Sequence, residues 1–154
     1  MRGVVAAGAA LLCAGAARAQ VAPAPGAGAA PAVTRQADSL TAAAQRAARA
    51  WERHDFAALV AGSPGVMVRL GRTEPSAPMP PAQAVLTLRA FAGGAEELQA
   101  EVTAVREADA LHGYAEVQRT YVARGTSARR VQTLYFGWRF VGSAPRLVEI
   151  RVVP

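Results

Sequence analysis

Apolar positions along the chain follow two rhythms, and the change between them divides the sequence. Ala37, Leu40, Ala44, Ala47, Ala48 and Trp51 recur at spacings of three and four, the repeat of one helix face. His54-Asp55 interrupts that repeat. Phe56, Leu59 and Val60 then predict a short second helix, closed by Gly62-Ser63-Pro64. Val66 to Leu70 reads as a compact strand. Residues 71–81 contain Pro75, Pro78, Pro80 and Pro81, so they are expected to be mostly loop, with room for one brief strand. Pro81 suits the first turn of a third helix. That helix carries Ala84, Val85, Leu88 and Phe91 on one side and stops at Gly93-Gly94.

Beyond Gly94 the period becomes two. Leu98, Ala100, Val102 and Ala104 alternate with Gln99, Glu101 and Thr103. Leu111 to Ala123 predicts a second long strand, Arg130 to Val141 a third, and Leu147 to Val153 a fourth. Turns fall at residues 107–109, at Gly125-Thr126-Ser127 and at Gly142 to Pro145. Long strands joined by short turns imply an antiparallel meander. Helices first and a meander afterwards imply an α+β fold, with the helices on one face of the sheet.

The N-terminal residues follow neither rhythm. Met1-Arg2 is a short positive start, Gly3 to Ala17 carries no charge, and Ala17-Arg18-Ala19 places small residues where a signal peptidase reads. These parts, in this order, predict a secretory signal over residues 1–19 and an exported product, periplasmic or secreted. The run is shorter than the ~20 apolar residues of a spanning helix, so no membrane span is expected after cleavage. Leu11-Leu12 precede Cys13 where a lipoprotein signal would place small residues. Residues 20–33, rich in Ala, Pro and Gly, read as a linker. Residues 34–154 then form one domain of ordinary size.

Composition adjusts this picture. Cys13 is the only cysteine, so the mature chain can form neither a disulfide nor a thiolate metal site. Every one of the 17 basic residues is arginine, which together with the alanine excess reads as the bias of a GC-rich bacterial genome. With Arg2 and Arg18 removed, 15 arginines face 11 acids, and the net charge falls from +6 to +4. The longest basic run is the pair Arg129-Arg130, and no nucleic-acid reading motif is present. Nucleic acid is therefore not an expected partner.

Taken in order, these segments resemble the nuclear transport factor 2-like superfamily. The resemblance rests on AWERHDFAAL (Ala50–Leu59), VMVRL (Val66–Leu70), PPAQAVLTLRAF (ending at Phe91) and the tail VQTLYFGWRFVGSAPRLVEIRV, and it covers essentially all of 34–154. It is nearer to small exported bacterial members of uncharacterised role than to the enzymes. It implies a cone-like fold, with N-terminal helices packed on a strongly curved antiparallel sheet. It also implies a pocket at the open end of the cone and, in many members, a homodimer through the outer sheet face. Enzymatic members of the isomerase, dehydratase or cyclase type place an acidic base in that pocket.

The candidate chemistry is sparse. Asp55 is expected to cap the short helix, with His54 in the turn before it. His112 has no acidic partner at an obvious spacing and is expected to be structural or exposed. Two histidines 58 positions apart, without clustered carboxylates, do not make a metal set. No catalytic residue and no cofactor is assigned. Alternation puts Arg119 and Tyr121 on one strand face, and Gln132 on a face with Leu134, Phe136 and Trp138. If these faces turn inward, Arg119, Tyr121, Gln132 and Trp138 line a pocket in which the Arg119 fork could bind an acidic ligand. If they turn outward, Arg119 and Arg151 are solvated and pair with Glu116 or Glu149. Tyr135, with Val131 and Thr133, lies on the opposite face from Trp138, the one sign of a dimer surface.

Three functions follow from this. The leading one is a non-catalytic exported domain that binds a small ligand or a protein partner. The second is an acid–base enzyme, for which Glu116 and Glu149 are the available bases among the late strands. The third is a structural subunit of an envelope assembly, which predicts a filled cone and a broad apolar patch outside.

Overall fold

The computed structural model describes residues 30–154, with side chains from Thr34 onward. The predicted signal at residues 1–19 and most of the linker lie outside the described residues. The first helix, α1 (Ala30–Glu52), begins inside the Ala/Pro-rich stretch, with Pro31 in its first turn, where a missing N–H breaks no helical bond. α2 (Phe56–Leu59) follows, then β1 (Met67–Leu70), α3 (Pro81–Ala92), β2 (Ala95–Glu107), β3 (His112–Ala123), β4 (Arg129–Val141) and β5 (Ala144–Val153). The brief strand allowed for in the proline-rich loop is a single bridge, Val66 to Met79.

The five strands form one sheet in the order β1-β5-β4-β3-β2. β2 to β5 make the predicted antiparallel meander, but β1 runs parallel to β5, so the sheet is mixed and not wholly antiparallel. Short hairpins force antiparallel pairing only between strands that are neighbours in sequence. β1 reaches its partner through α3 and three further strands, which leaves its direction free. The last hairpin is tighter than expected. Its loop is Gly142-Ser143 alone, with Gly142 at φ 62°, and Ala144 and Pro145 already belong to β5.

α1 lies on the concave face. Its stripe of small residues, Ala43, Ala44, Ala47 and Ala48, is buried, with Leu40 and Trp51 at the two ends. The approach is close at Gly113 of β3, where a Cβ would sit 2.5 Å from Leu40 Cδ2. Trp51 meets Phe56 edge-on at 5.4 Å and Phe136 at 6.1 Å, and Phe136 meets Trp138 at 6.1 Å. Leu134, Ile150 and Val152 complete the core, so the middle of the cone is filled with side chains.

Two irregularities in β2 decide what faces inward. Between Glu97 and Gln99, and again between Val102 and Ala104, β2 spends two residues against one of β3. Such bulges bend a strand and shift its alternation. Leu98 is the first extra residue and is exposed, whereas the alternating pattern predicts it on the apolar face. Thr103 is the second, and its hydroxyl donates to the Glu116 carbonyl at 3.2 Å. Ala95 and Glu97 therefore point inward ahead of the first bulge, and Val105 packs on the core beyond the second, where the sequence pattern expects Ala104.

Candidate functional site

Glu97 is the residue that sequence reasoning missed. Strict alternation groups it with Gln99 and Glu101 on the polar side. The bulge at Leu98 turns it into the cone, where its side chain is 1% exposed. There it meets Arg119, also 1% exposed, whose Nε donates to Glu97 Oε2 at 3.1 Å while Nη2 faces Oε1. The two form an ion pair in the core, joined by one hydrogen bond through Nε, while Oε1 lies against Nη2 without a hydrogen bond of its own. Arg119 thus lies on the inward face, and the alternative of a solvated Arg119 paired with Glu116 or Glu149 is overturned. The fork that the sequence offered to an acidic ligand is taken by an acid of the chain itself.

Three aromatic rings surround the guanidinium. Arg119 Cζ is 4.1 Å from the Tyr121 ring centroid, 5.4 Å from Trp51 and 5.7 Å from Phe91. A strand, α1 and α3 each contribute one ring, so the cation is held by π faces as well as by the carboxylate. Burial pushes the Glu97 carboxyl above its ordinary value; Arg119, His54 and the Trp51 indole each oppose that rise without cancelling it. Burial also lowers the Arg119 pKa, with Glu97 and Tyr121 opposing. An arginine under such pressure is still a cation near neutral pH.

His54 supplies the edge of the cluster. It sits in the turn after α1 with φ at 54°, the left-handed region that few residues other than glycine occupy. Its ring stacks on Phe56 at 5.6 Å, and its Nε2 stands 3.5 Å from Glu97 Oε1. Asp55 behaves as expected: its carboxylate accepts from Ala58 N–H at 3.0 Å and caps α2. His112 does not lack an acid, since Asp109, three residues earlier, lies 3.0 Å from its Nδ1. That pair closes the β2–β3 turn, where Asp109 also accepts from the backbone N–H groups of Leu111 and His112. Those bonds and the histidine hold the Asp109 carboxyl below its ordinary value.

The structure brings Arg119, Tyr121 and Gln132 together and leaves Trp138 apart. Gln132 is the register partner of Arg119 across β3 and β4. Its Oε1 and Arg119 Nη1 are both buried without a hydrogen-bond partner. Trp138 is six positions along β4, roughly 20 Å away at the usual rise of a strand, and lines a separate groove of about 240 Å³ between α1 and β5. Glu116, Glu149 and Arg151 occupy the outer face, where they line a shallow cleft with Tyr114 and Tyr135. Neither late-strand glutamate can therefore act inside the cone.

Outside the Glu97–Arg119 pair, at the mouth of the cone, lies an open cleft of about 380 Å³ lined by Glu52, Arg53, His54, Ala95, Glu96, Glu97 and Arg124. Among the described residues, no three His, Asp, Glu or Cys side chains gather to hold a metal ion, and no helix is long and apolar enough to cross a membrane.

No protein-family model and no curated protein matches the chain. Solved structures do. A ketosteroid isomerase-like protein from Erwinia carotovora atroseptica superposes with a TM-score of 0.60 at 14% identity, over 77% of this chain and 95% of that one. A nuclear transport factor 2-like protein with a cystatin-like fold from Novosphingobium aromaticivorans gives 0.58 at 13% identity, over 81% and 85%. A protein with a ketosteroid isomerase-like fold from Catenulispora acidiphila, solved in complex with trimethylamine, gives 0.57 at 11% identity, over 71% and 82%. Identities this low speak for the fold alone. The helices on a curled five-stranded sheet and these superpositions together make this a chain of the nuclear transport factor 2-like fold.

Proposed function

We propose that the chain is an exported, non-catalytic binding domain whose ligand site is the polar cleft at the mouth of the cone. The observation that carries this reading is the state of the buried acid. Glu97 is paired with Arg119, with Oε2 hydrogen-bonded to Nε and Oε1 against Nη2, so it is a fixed part of the wall and not a free base. The cleft beside it is open and lined by charged groups, the kind of place where a few polar groups orient a small ligand. The trimethylamine held by the Catenulispora protein is a precedent for a small ligand on this fold. Native mass spectrometry of the purified full-length product tests the reading. A small molecule retained by the protein, and lost when His54 is replaced by alanine, is the expected result. A protein that carries and takes up nothing in the cleft overturns it. Export is tested separately, by N-terminal sequencing of the secreted product, with Gln20 expected first.

One observation favours an acid–base enzyme as the second reading: a glutamate with a raised pKa stands 3.5 Å from an imidazole at the cone mouth. It predicts solvent-deuterium incorporation into a β,γ-unsaturated ketone that disappears in Glu97→Gln. A structural role fits the filled middle of the cone but lacks the broad apolar patch it calls for. The exposed large apolar side chains Leu86, Leu98, Leu111, Val131 and Val141 are spread over α3, β2, the β2–β3 turn and the two ends of β4. A homodimer through the outer face, resting on Val131 and Tyr135, is tested by light scattering of the wild type and of Val131→Glu.

A further inference from the structure

The charges around the mouth cleft narrow what it can hold. The C-terminal end of α1 and the turn after it supply Glu52, Arg53 and His54; the start of β2 supplies Glu96 and Glu97; the residue after β3 supplies Arg124. Arg124 is fixed opposite the start of β2 by its own backbone, whose N–H donates to the Gly94 carbonyl at 2.9 Å. Of these groups, Glu97 is neutralised by Arg119 and flanked by His54. The floor of the cleft therefore adds almost no net charge. Among the described residues, the side chains of Glu52, Arg53, Glu96 and Arg124 make no ion pair with one another or with any other group.

The rim thus carries two carboxylates and two guanidiniums, all exposed and all unpaired. A simple anion in the cleft would be drawn by Arg53 and Arg124 and repelled by Glu52 and Glu96. A simple cation would meet the reverse. A molecule with one charge of each sign on a short frame finds groups of opposite charge for both of its ends. Arginine adds a planar fork suited to a carboxylate, and the glutamates accept the N–H groups of an ammonium. The volume, about 380 Å³, lies near the lower end of the roughly 300–1,000 Å³ seen for small-molecule sites.

Building on the reading that the mouth cleft is a ligand site, we propose that its ligand is a small zwitterion of the α-amino-acid class. Its carboxylate faces Arg53 and Arg124, its ammonium faces Glu52 and Glu96, and its side chain lies toward His54.

Isothermal titration calorimetry on the full chain tests this with glycine, alanine, valine and leucine as zwitterions, and acetate and methylammonium as their separated halves. At least one amino acid is expected to bind ten-fold or more tightly than either half. Arg124→Gln and Glu96→Gln are each expected to weaken that amino acid at least five-fold. Both residues are exposed, and circular dichroism checks that both variants fold. Acetate or methylammonium binding as tightly as every amino acid overturns the zwitterion while leaving the mouth cleft as a site for a simple ion. No heat from any probe also overturns it; a ligand retained in native mass spectrometry and lost in His54→Ala would then keep the mouth site itself. Amino-acid binding that is unchanged in both rim variants places the site elsewhere and overturns both.

Discussion

The two faces of the meander carry the same residue types under opposite conditions. On the inner face, the side chains of Glu97 and Arg119 are each 1% exposed, with three aromatic rings around the cation. On the outer face, Glu116, Glu149 and Arg151 share a shallow cleft with Tyr135, and Arg151 Cζ lies 4.6 Å from the tyrosine ring. The outer group is half-buried and still in reach of water, so its contacts are individually weaker. The inner group has lost its water and depends on its partners for solvation. A buried pair of this kind adds little net stability over an apolar pair of equal volume, yet losing one member leaves the other charge stranded. Residue type thus says little about energetic weight until burial is known.

The largest effect that would separate the two faces is Arg119→Met, expected to destabilise by about 3–5 kcal/mol in urea unfolding because Glu97 is left buried alone. Adding Glu97→Leu to that variant is expected to restore most of the loss; a double variant no better than the single one would mean that the charges were not coupled. Deleting Leu98 sharpens the point. Glu97 pairs with Tyr121 and Gln99 with Thr120, so removing the extra residue leaves Glu97 still facing inward. The cost of Arg119→Met is expected to stay at about 3–5 kcal/mol in the deleted background, and a much smaller cost would show that β2 had changed register and Glu97 no longer faced inward.

Proton linkage gives the next contrast. The Glu97 carboxyl binds its proton more tightly in the folded chain than its ordinary value of 4.5 implies. The folded state therefore holds more proton than the unfolded one between 4.5 and the raised pKa. The stability this contributes is full below 4.5 and is lost as pH rises through that window. The difference in unfolding free energy between the wild type and Glu97→Gln is expected to fall over the same range. On the outer face, Tyr135→Leu removes the ring under Arg151 and is expected to cost only about 0.5–1 kcal/mol. The smallest effect belongs to Asp109, whose lowered pKa contributes stability present above 3.8 and lost as pH falls through the folded value. A small thermal-shift penalty for Asp109→Asn at neutral pH is expected to vanish in acid.

Much of the fold was legible beforehand. The three helices, the long strands and the shared face of Leu134, Phe136 and Trp138 follow from hydrophobic period and turn residues. The cap at Asp55 is local chemistry and was equally readable. The direction of β1 was not, because parallel pairing with β5 depends on a connection that spans most of the domain. Within the site, Arg119, Tyr121 and Gln132 could be named as sharing strand faces, but their inward orientation could not. His112 looked solitary because its acid, Asp109, is reached through the geometry of a turn and not through helical or strand spacing.

By itself, then, the sequence determined the division into helical and meander halves and the apolar faces. These depend on local periodicity and composition, which neighbouring residues settle among themselves. Only the tertiary structure decided that Glu97 is an interior residue. One extra residue in β2 reverses the alternation, and a shift of one position exchanges the faces of a strand. Nothing in the run Glu96-Glu97-Leu98-Gln99 marks which residue will be the extra one until β3 is laid beside it.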